Sequence, residues 1–135
     1  MGPPLLILVD THVVLWLAFD QARLSARAKS AIDEARKNAD GLAISGITLL
    51  ELATLANKGR FALDISLESF LQEVETRFAV LPITSRACAR ILGLPTTYPK
   101  DPADRLIAAT ALVEGLPLIT ADREIRRSKT VQTIW

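Results

Sequence analysis

Hydrophobic and polar positions follow two rhythms along this chain, one of unbroken apolar runs and one of helical spacing. Leu5-Leu6-Ile7-Leu8-Val9 is a continuous apolar run closed by Asp10, the mark of a strand buried on both faces. An apolar stretch from Thr11 to Phe19 follows and predicts a short helix. Ser25 caps a second helix, with Ala28, Ala31, Ile32 and Ala35 inward and Arg27, Asp33, Arg36 and Lys37 outward. Leu42 to Ser45 predicts a second strand, and Ile47 to about Asn57 a helix that Gly59 ends. Ser66 caps the next helix, where Leu67, Phe70, Leu71, Val74 and Phe78 keep helical spacing. Ala79 to Ile83 predicts a third strand, and Thr84 caps a helix ending near Gly93. A loop rich in Pro and Thr, Leu94 to Lys100, leads to Asp101, which caps a helix with Pro102 at its first position and Gly115 at its end. Pro117 to Thr120 and Val131 to Ile134 predict the fourth and fifth strands.

Strands alternating with helices predict an α/β fold, a central parallel sheet of four to five strands with helices on both faces. The 135 residues suffice for one domain, 1–135, and not for two. Ligands of such sheets collect beyond the carboxyl ends of the strands, so that edge is where chemistry is sought. Half the residues are hydrophobic, enough for a sizeable core, and the formal net charge of +1 gives no global pull toward nucleic acid or membrane. No apolar run reaches the length of a membrane span. Nothing basic precedes Leu5, as a secretory signal would require, and Met1-Gly2 lacks the hydroxyl residue at the sixth position that myristoylation needs. The single cysteine, Cys88, cannot form an intramolecular disulfide. A cytoplasmic protein is expected.

Of the 15 acidic residues, Asp33, Glu34, Glu68, Glu73 and Glu75 fall on solvated helix faces. Four others sit differently. Asp10 follows the first strand, Glu51 lies about a turn into the helix after the second, Asp104 one turn into the helix before the fourth, and Asp122 two residues beyond the fourth. Each has an ordinary explanation. Asp10 could cap the first helix, Thr48-Leu49-Leu50-Glu51 fits a capping box, and Asp101 and Asp122 could cap the helices they precede. As a set they are harder to dismiss. Glu51 is flanked by Leu49, Leu50, Leu52 and Ala53, and Asp104 precedes Leu106-Ile107-Ala108-Ala109, so carboxylates border apolar surroundings with only Arg105 and Arg123 adjacent in sequence. Converging like charges raise one another's pKa unless a cation screens them. With no His or Cys set suited to zinc, Mg2+ or Mn2+ is expected, which can polarise a phosphate oxygen and activate water for phosphodiester hydrolysis. Thr11 and Thr120 could orient carboxylates or simply close turns.

Four segments then match a known family. Val9-Asp10-Thr11-His12-Val13-Val14-Leu15-Trp16 resembles the opening motif of PIN domains in their DTHxxLW subgroup, and Asp101-Pro102-Ala103-Asp104-Arg105-Leu106-Ile107-Ala108-Ala109-Thr110-Ala111 is similar to the DPxDRxIAATA signature. Ile44-Ser45 through Leu49-Leu50-Glu51-Leu52 and Leu118-Ile119-Thr120-Ala121-Asp122 resemble the acidic-helix and closing TxD elements. The resemblance spans essentially the whole chain. It implies a three-layer PIN fold, an acidic pocket for Mg2+ or Mn2+, and endoribonuclease activity. It places the catalytic acids on Asp10, Glu51, Asp104 and Asp122 and permits Asp101 as a further ligand. A single PIN domain of this length resembles the VapC toxins, which pair with a small antitoxin and usually dimerise. Relatives often carry a His just before the DPxDR segment, where Tyr98-Pro99-Lys100 stands here.

His12, the only histidine, could touch substrate or simply pack, and Trp16 reads as core or interface sooner than as a base-stacking platform. Arg123, Arg126, Arg127 and Lys129 form a basic patch beside Asp122 that could hold RNA phosphates or be an ordinary solvated turn, and Lys58 and Arg60 allow the same two readings. A mean hydropathy of +0.27 in so small a domain predicts apolar surface covered by another chain, and with the resemblance a homodimer that also binds an antitoxin is expected. Three other functions compete. A PIN nuclease of RNA processing would have no antitoxin. A phosphoaspartyl enzyme of haloacid-dehalogenase type needs a second Asp where His12 stands. A non-catalytic binding module would have no use for four retained acids.

Overall fold

Five short strands form one parallel sheet in the order β3-β2-β1-β4-β5, in a computed structural model that describes residues 6–37 and 41–135. Met1, Gly2 and Leu5, the last read as the start of the first strand, lie outside those residues. The strands are β1 (Ile7–Val9), β2 (Leu42–Ser45), β3 (Ala79–Leu81), β4 (Leu118–Ile119) and β5 (Thr133–Ile134). The helices are α1 (Thr11–Phe19), α2 (Ala26–Lys37), α3 (Gly46–Asn57), α4 (Leu67–Arg77), α5 (Ser85–Ile91), α6 (Pro102–Glu114) and α7 (Arg123–Ser128). A single 3-10 turn, Gln21–Arg23, sits between α1 and α2 and has no signal in the apolar pattern.

The order of elements agrees with the apolar pattern, and the strands are shorter than it suggests. Proline explains two of the differences. Pro82 has no N–H to extend β3 to Ile83, and Pro117 contributes only its carbonyl, which accepts from the Leu8 amide at 3.0 Å. At the third, Val131 packs into the core ahead of β5 instead of pairing within it. Serine and threonine caps fall at Ser66 and Thr84 as read, and the Ser25 hydroxyl accepts from the Ala28 amide. The capping box proposed at Thr48–Glu51 does not form. Ser45 caps α3, its hydroxyl accepting from the Ile47 amide, and Thr48 is a buried interior residue of that helix.

The strand period of two divides the core between the faces of the sheet. Ile7, Val9, Leu42, Ile44 and Ile119 pack on one face with residues of α1 to α4. Leu8, Ala43 and Leu118 pack on the other with Ile107, Ala108 and Ala111 of α6, Ile125 of α7 and Tyr98 of the preceding loop. Helix α6 is also closed by α5, through Ala87 against Leu106 and Ala109. The result is three layers, with β1 central and buried on both sides. The chain runs outward from β1 through β2 to β3, then returns to its other side with β4 and β5. The carboxyl ends of β1 and β4 therefore flank the point where strand order reverses, the place where such sheets form a crevice.

Tyr98 heads the fully buried side chains by volume, at 1 % exposure. Its hydroxyl reaches the Asp104 carbonyl at 3.4 Å, and its own carbonyl accepts from Arg105 Nη2 at 3.2 Å. It braces the start of α6 by packing more than by its long hydrogen bond. Tyr98→Ala is expected to cost about 3–5 kcal/mol in urea denaturation, as other large aromatic truncations do. Tyr98→Phe is expected to cost about 1 kcal/mol or less. A Tyr98→Ala loss as small as that of Tyr98→Phe would contradict the bracing role.

Candidate active site

Asp10 stands where β1 ends and caps α1. Its amide donates to the Ile119 carbonyl at 3.0 Å, which ties the ends of β1 and β4 together. Its carboxylate is only 7 % exposed and is held by two neutral donors. Oδ1 accepts from the Thr11 amide at 2.9 Å, and Oδ2 accepts from the Thr120 hydroxyl at 2.7 Å. The Thr120 oxygen also accepts from the Asp122 amide at 3.1 Å, so one buried hydroxyl links the first and last acids of the cluster. On the other side, the Thr11 hydroxyl donates to Glu51 Oε1 at 2.5 Å. That spends its only hydrogen, so in the 3.1 Å contact between Thr11 and Thr48 it is Thr48 that donates.

Asp104 projects from the first turn of α6 and makes no side-chain hydrogen bond or ion pair among the described residues. Asp101 caps the same helix, Oδ2 accepting from the Asp104 amide at 3.0 Å. Asp122 caps α7, Oδ1 accepting from the Glu124 and Ile125 amides at 2.9 and 3.0 Å. The cap roles read for Asp10, Asp101 and Asp122 thus all occur. They engage one oxygen each at Asp101 and Asp122 and leave the other free.

Burial is the largest influence on three of these acids. It raises the pKa of Asp10, against the opposing hydrogen bonds from Thr120 and Thr11, and raises that of Glu51 against its bond from Thr11. Asp104 is pushed up to about 7 by burial and then by the charges of Asp10, Asp101, Glu51 and Asp122. These couplings place the other four carboxyl groups within electrostatic reach of Asp104 at the crevice. His12 opposes the rise at Asp10 and Glu51 only as a smaller influence, and no ion pair forms with any of the five among the described residues, where the one ion pair is Arg23 with Asp20, at 3.2 Å. Arg105 is adjacent to Asp104 in sequence and turns to the Tyr98 carbonyl instead.

In this arrangement no three His, Cys, Asp or Glu side chains among the described residues stand close enough to form a finished metal-ligand set. Glu51 leans to Thr11, while Asp101 and Asp122 lean to their helices. The donor chemistry nonetheless fits a hard divalent cation. Every available atom is a carboxylate or hydroxyl oxygen, and lone pairs remain on Asp104, on the second oxygens of Glu51, Asp101 and Asp122, and on both oxygens of Asp10.

Thr48, read as the start of a capping box, and Tyr98, read as a departure from the family pattern, are the residues whose part in supporting the site the sequence reading missed. Thr48 lies three residues before Glu51, on the same helical face, and that spacing was open to a capping or a site role alike. Arg123, Arg126, Arg127 and Lys129 do gather, around an open depression of about 450 Å3 beside Asp122. His12 is exposed and lies beside Trp16, which is packed against the core as expected. Cys88 is exposed on α5 and is no part of the cluster.

Comparison with known proteins agrees with this architecture. The family model of the PIN domain matches residues 7–130. Ribonuclease VapC22 of Mycobacterium tuberculosis is 40 % identical over 131 residues, 96 % of this chain and 98 % of the relative. Among solved structures, a toxin–antitoxin complex from Klebsiella pneumoniae matches at 25 % identity with a TM-score of 0.56, over 86 % of each chain. VapBC2 from Rickettsia felis, bound to a DNA fragment from its promoter, matches at 18 % identity with a TM-score of 0.72, over 96 % of this chain and 97 % of that one. At that last identity the likeness is one of fold alone. The family match covers nearly the entire chain, its four motif segments fall at the crevice, and the chain belongs to the PIN domain family.

Proposed function

We propose that this chain is a Mg2+- or Mn2+-dependent endoribonuclease, the toxin member of a toxin–antitoxin pair. The observation that carries the reading is a set of five carboxyl groups at the strand-reversal crevice with no ion-paired partner among the described residues, three of them with raised pKa. The near full-length kinship with a ribonuclease supports RNA as the substrate, and the Klebsiella pneumoniae complex supports an antitoxin partner. Asp10, Glu51, Asp104 and Asp122 would hold the ion, with Asp101 mainly a helix cap. When bound, such an ion neutralises charge developing on the phosphate and makes water a better nucleophile. The chain's own contribution is preorganisation. Thr120 and the Thr11 amide fix both oxygens of Asp10, Thr11 fixes Glu51, and α6 presents Asp104 with no competing bond. Arg123, Arg126, Arg127 and Lys129 would hold substrate phosphates beside Asp122.

EDTA is expected to abolish cleavage of total bacterial RNA, and Mg2+ or Mn2+ to restore it with 5′-phosphate ends. Asp104→Asn should lose at least about 100-fold in activity while remaining folded, whereas Asp101→Asn, which still caps, should keep most of it. Cleavage persisting in EDTA, or 2′,3′-cyclic phosphate ends, would exclude the mechanism. Equal losses from the two substitutions would make Asp101 a ligand.

The raised acids also predict a pH dependence of the metal-free protein. A carboxyl with a folded pKa near 7 and an unfolded pKa near 3.8 binds more protons when folded, so stability falls as pH rises between those values. Asp10 and Glu51 act in the same direction. In EDTA the melting temperature should therefore drop from pH 5 to pH 8, and Asp104→Asn should flatten the drop. A melting temperature that rises over this range, with no effect of Asp104→Asn, would contradict the assignment.

The homodimer expected from the apolar composition has candidate surface in Leu50, Ile83 and Leu92, at 63 %, 51 % and 90 % exposure. Light scattering at micromolar concentration should give about twice the 14.7 kDa chain mass. A strictly monomeric mass would remove the dimer.

A further inference from the structure

Thr48 is fully buried in the first turn of α3, and its hydroxyl has one partner among the described residues, the Thr11 oxygen at 3.1 Å. Three other helical threonines spend their hydrogen on their own helix. Thr54 donates to the Leu50 carbonyl at 2.9 Å, Thr76 to that of Glu73 at 2.8 Å and Thr110 to that of Leu106 at 2.8 Å. That is the ordinary use of a threonine inside a helix. Thr48 instead reaches across to α1. Glu51, three residues on, shares its helical face and reaches the same Thr11 side chain. The Thr11 hydroxyl therefore stands between a donor and an acceptor of one helix.

Donation from Thr48 leaves the single Thr11 hydrogen for Glu51 Oε1, at 2.5 Å. Hydrogen bonds in series polarise one another, so a hydroxyl that accepts from Thr48 is the stronger donor to Glu51. The Thr11 bond is in turn the first influence that opposes the burial-driven rise in the Glu51 pKa. A simple tie between helices would not need this hydroxyl. Val13 and Val14 of α1 and Leu52 of α3 already share one core cluster, and valine at position 48 would bury a similar shape without desolvating a polar group. We propose that Thr48 is a positioning residue for the cation site: it commits the Thr11 hydroxyl to Glu51 Oε1 and so fixes that carboxylate in one orientation, with Oε2 left for the ion. The role toward an ion rests on the cation reading above; the lock on Thr11 does not.

Two measurements on the full chain test this. The first is calorimetric titration with Mn2+ at pH 8. Thr48→Val should weaken binding about tenfold, as loss of a group that orients a metal ligand does. Thr48→Ser keeps the hydroxyl and should restore the wild-type affinity. Thr110→Val removes another buried helical hydroxyl, one bonded only to its own helix, and should leave the affinity unchanged. The second is the set of three-bond couplings to the Thr11 methyl carbon, read by NMR in EDTA. They should report one χ1 rotamer in the wild type and in Thr48→Ser, and an average over rotamers in Thr48→Val. Thr48→Ala provides both readouts if a methyl group is not tolerated where the hydroxyl stood. Unchanged Mn2+ affinity in the Val and Ala variants, or a loss that Thr48→Ser or Thr110→Val shares, overturns the positioning role. A single Thr11 rotamer in every variant overturns the lock. A wild type that binds no Mn2+, with Thr11 still averaging in Thr48→Val, faults the cation reading and upholds the lock.

Discussion

A buried carboxylate held by neutral donors is the constraint on which the rest of this structure depends. Asp10 lies at the carboxyl end of the central strand, desolvated, with the Thr11 amide and the Thr120 hydroxyl as its hydrogen-bond partners. Those bonds fix its position without cancelling its charge. A buried ion pair would have done both, but truncating either partner would then strand the other. Neutral donors leave the field of the carboxylate intact, and that field is felt by Glu51 and by Asp104.

The fold supplies the neighbours. Because strand order reverses beside β1, the segment after β4 returns to it, and the Asp10 amide bonds to the Ile119 carbonyl. The same geometry brings Thr120 to Asp10 and places Asp122 at the start of α7. Helix α3 brings Glu51 across to Thr11, and α6, braced by Tyr98 and packed on the second face of the sheet, presents Asp104. The hydroxyls of Thr11, Thr48 and Thr120 carry the hydrogen bonds between these elements, and all three are buried. What results is a concentrated set of acids kept in place by a scaffold of threonines, and it is there that the proposed divalent cation would be held.

Much of this was legible in the sequence. The unbroken run before Asp10 and the alternation of strands and helices gave the parallel sheet, and the ends of those strands located the acids. Asp101 and Asp122 were readable as caps because Asp precedes a helix start in both cases, at Pro102 and Arg123. The pairing of hydroxyl with carboxylate was less accessible. The Thr120–Asp10 bond joins residues 110 positions apart, and the Thr11–Glu51 bond joins residues 40 apart, distances at which periodicity carries no information. Thr48 was misplaced for a related reason. Its spacing to Glu51 is equally that of a capping box and of one helical face, and only the position of Ser45 at the end of β2 decides between them. Tyr98 stood out as a departure from the family pattern, and it is buried against α6 and the second face of the sheet.

Calorimetric titration with Mn2+, at pH 6 and pH 8 in buffers of different ionisation enthalpy, tests the central claim most directly. If the uncompensated carboxyl groups form a cation site, binding is saturable, tighter at pH 8, and accompanied at pH 6 by proton release from Asp104 and its neighbours. Absence of saturable binding at millimolar Mn2+, or binding of equal strength at both pH values with no proton release, would contradict it.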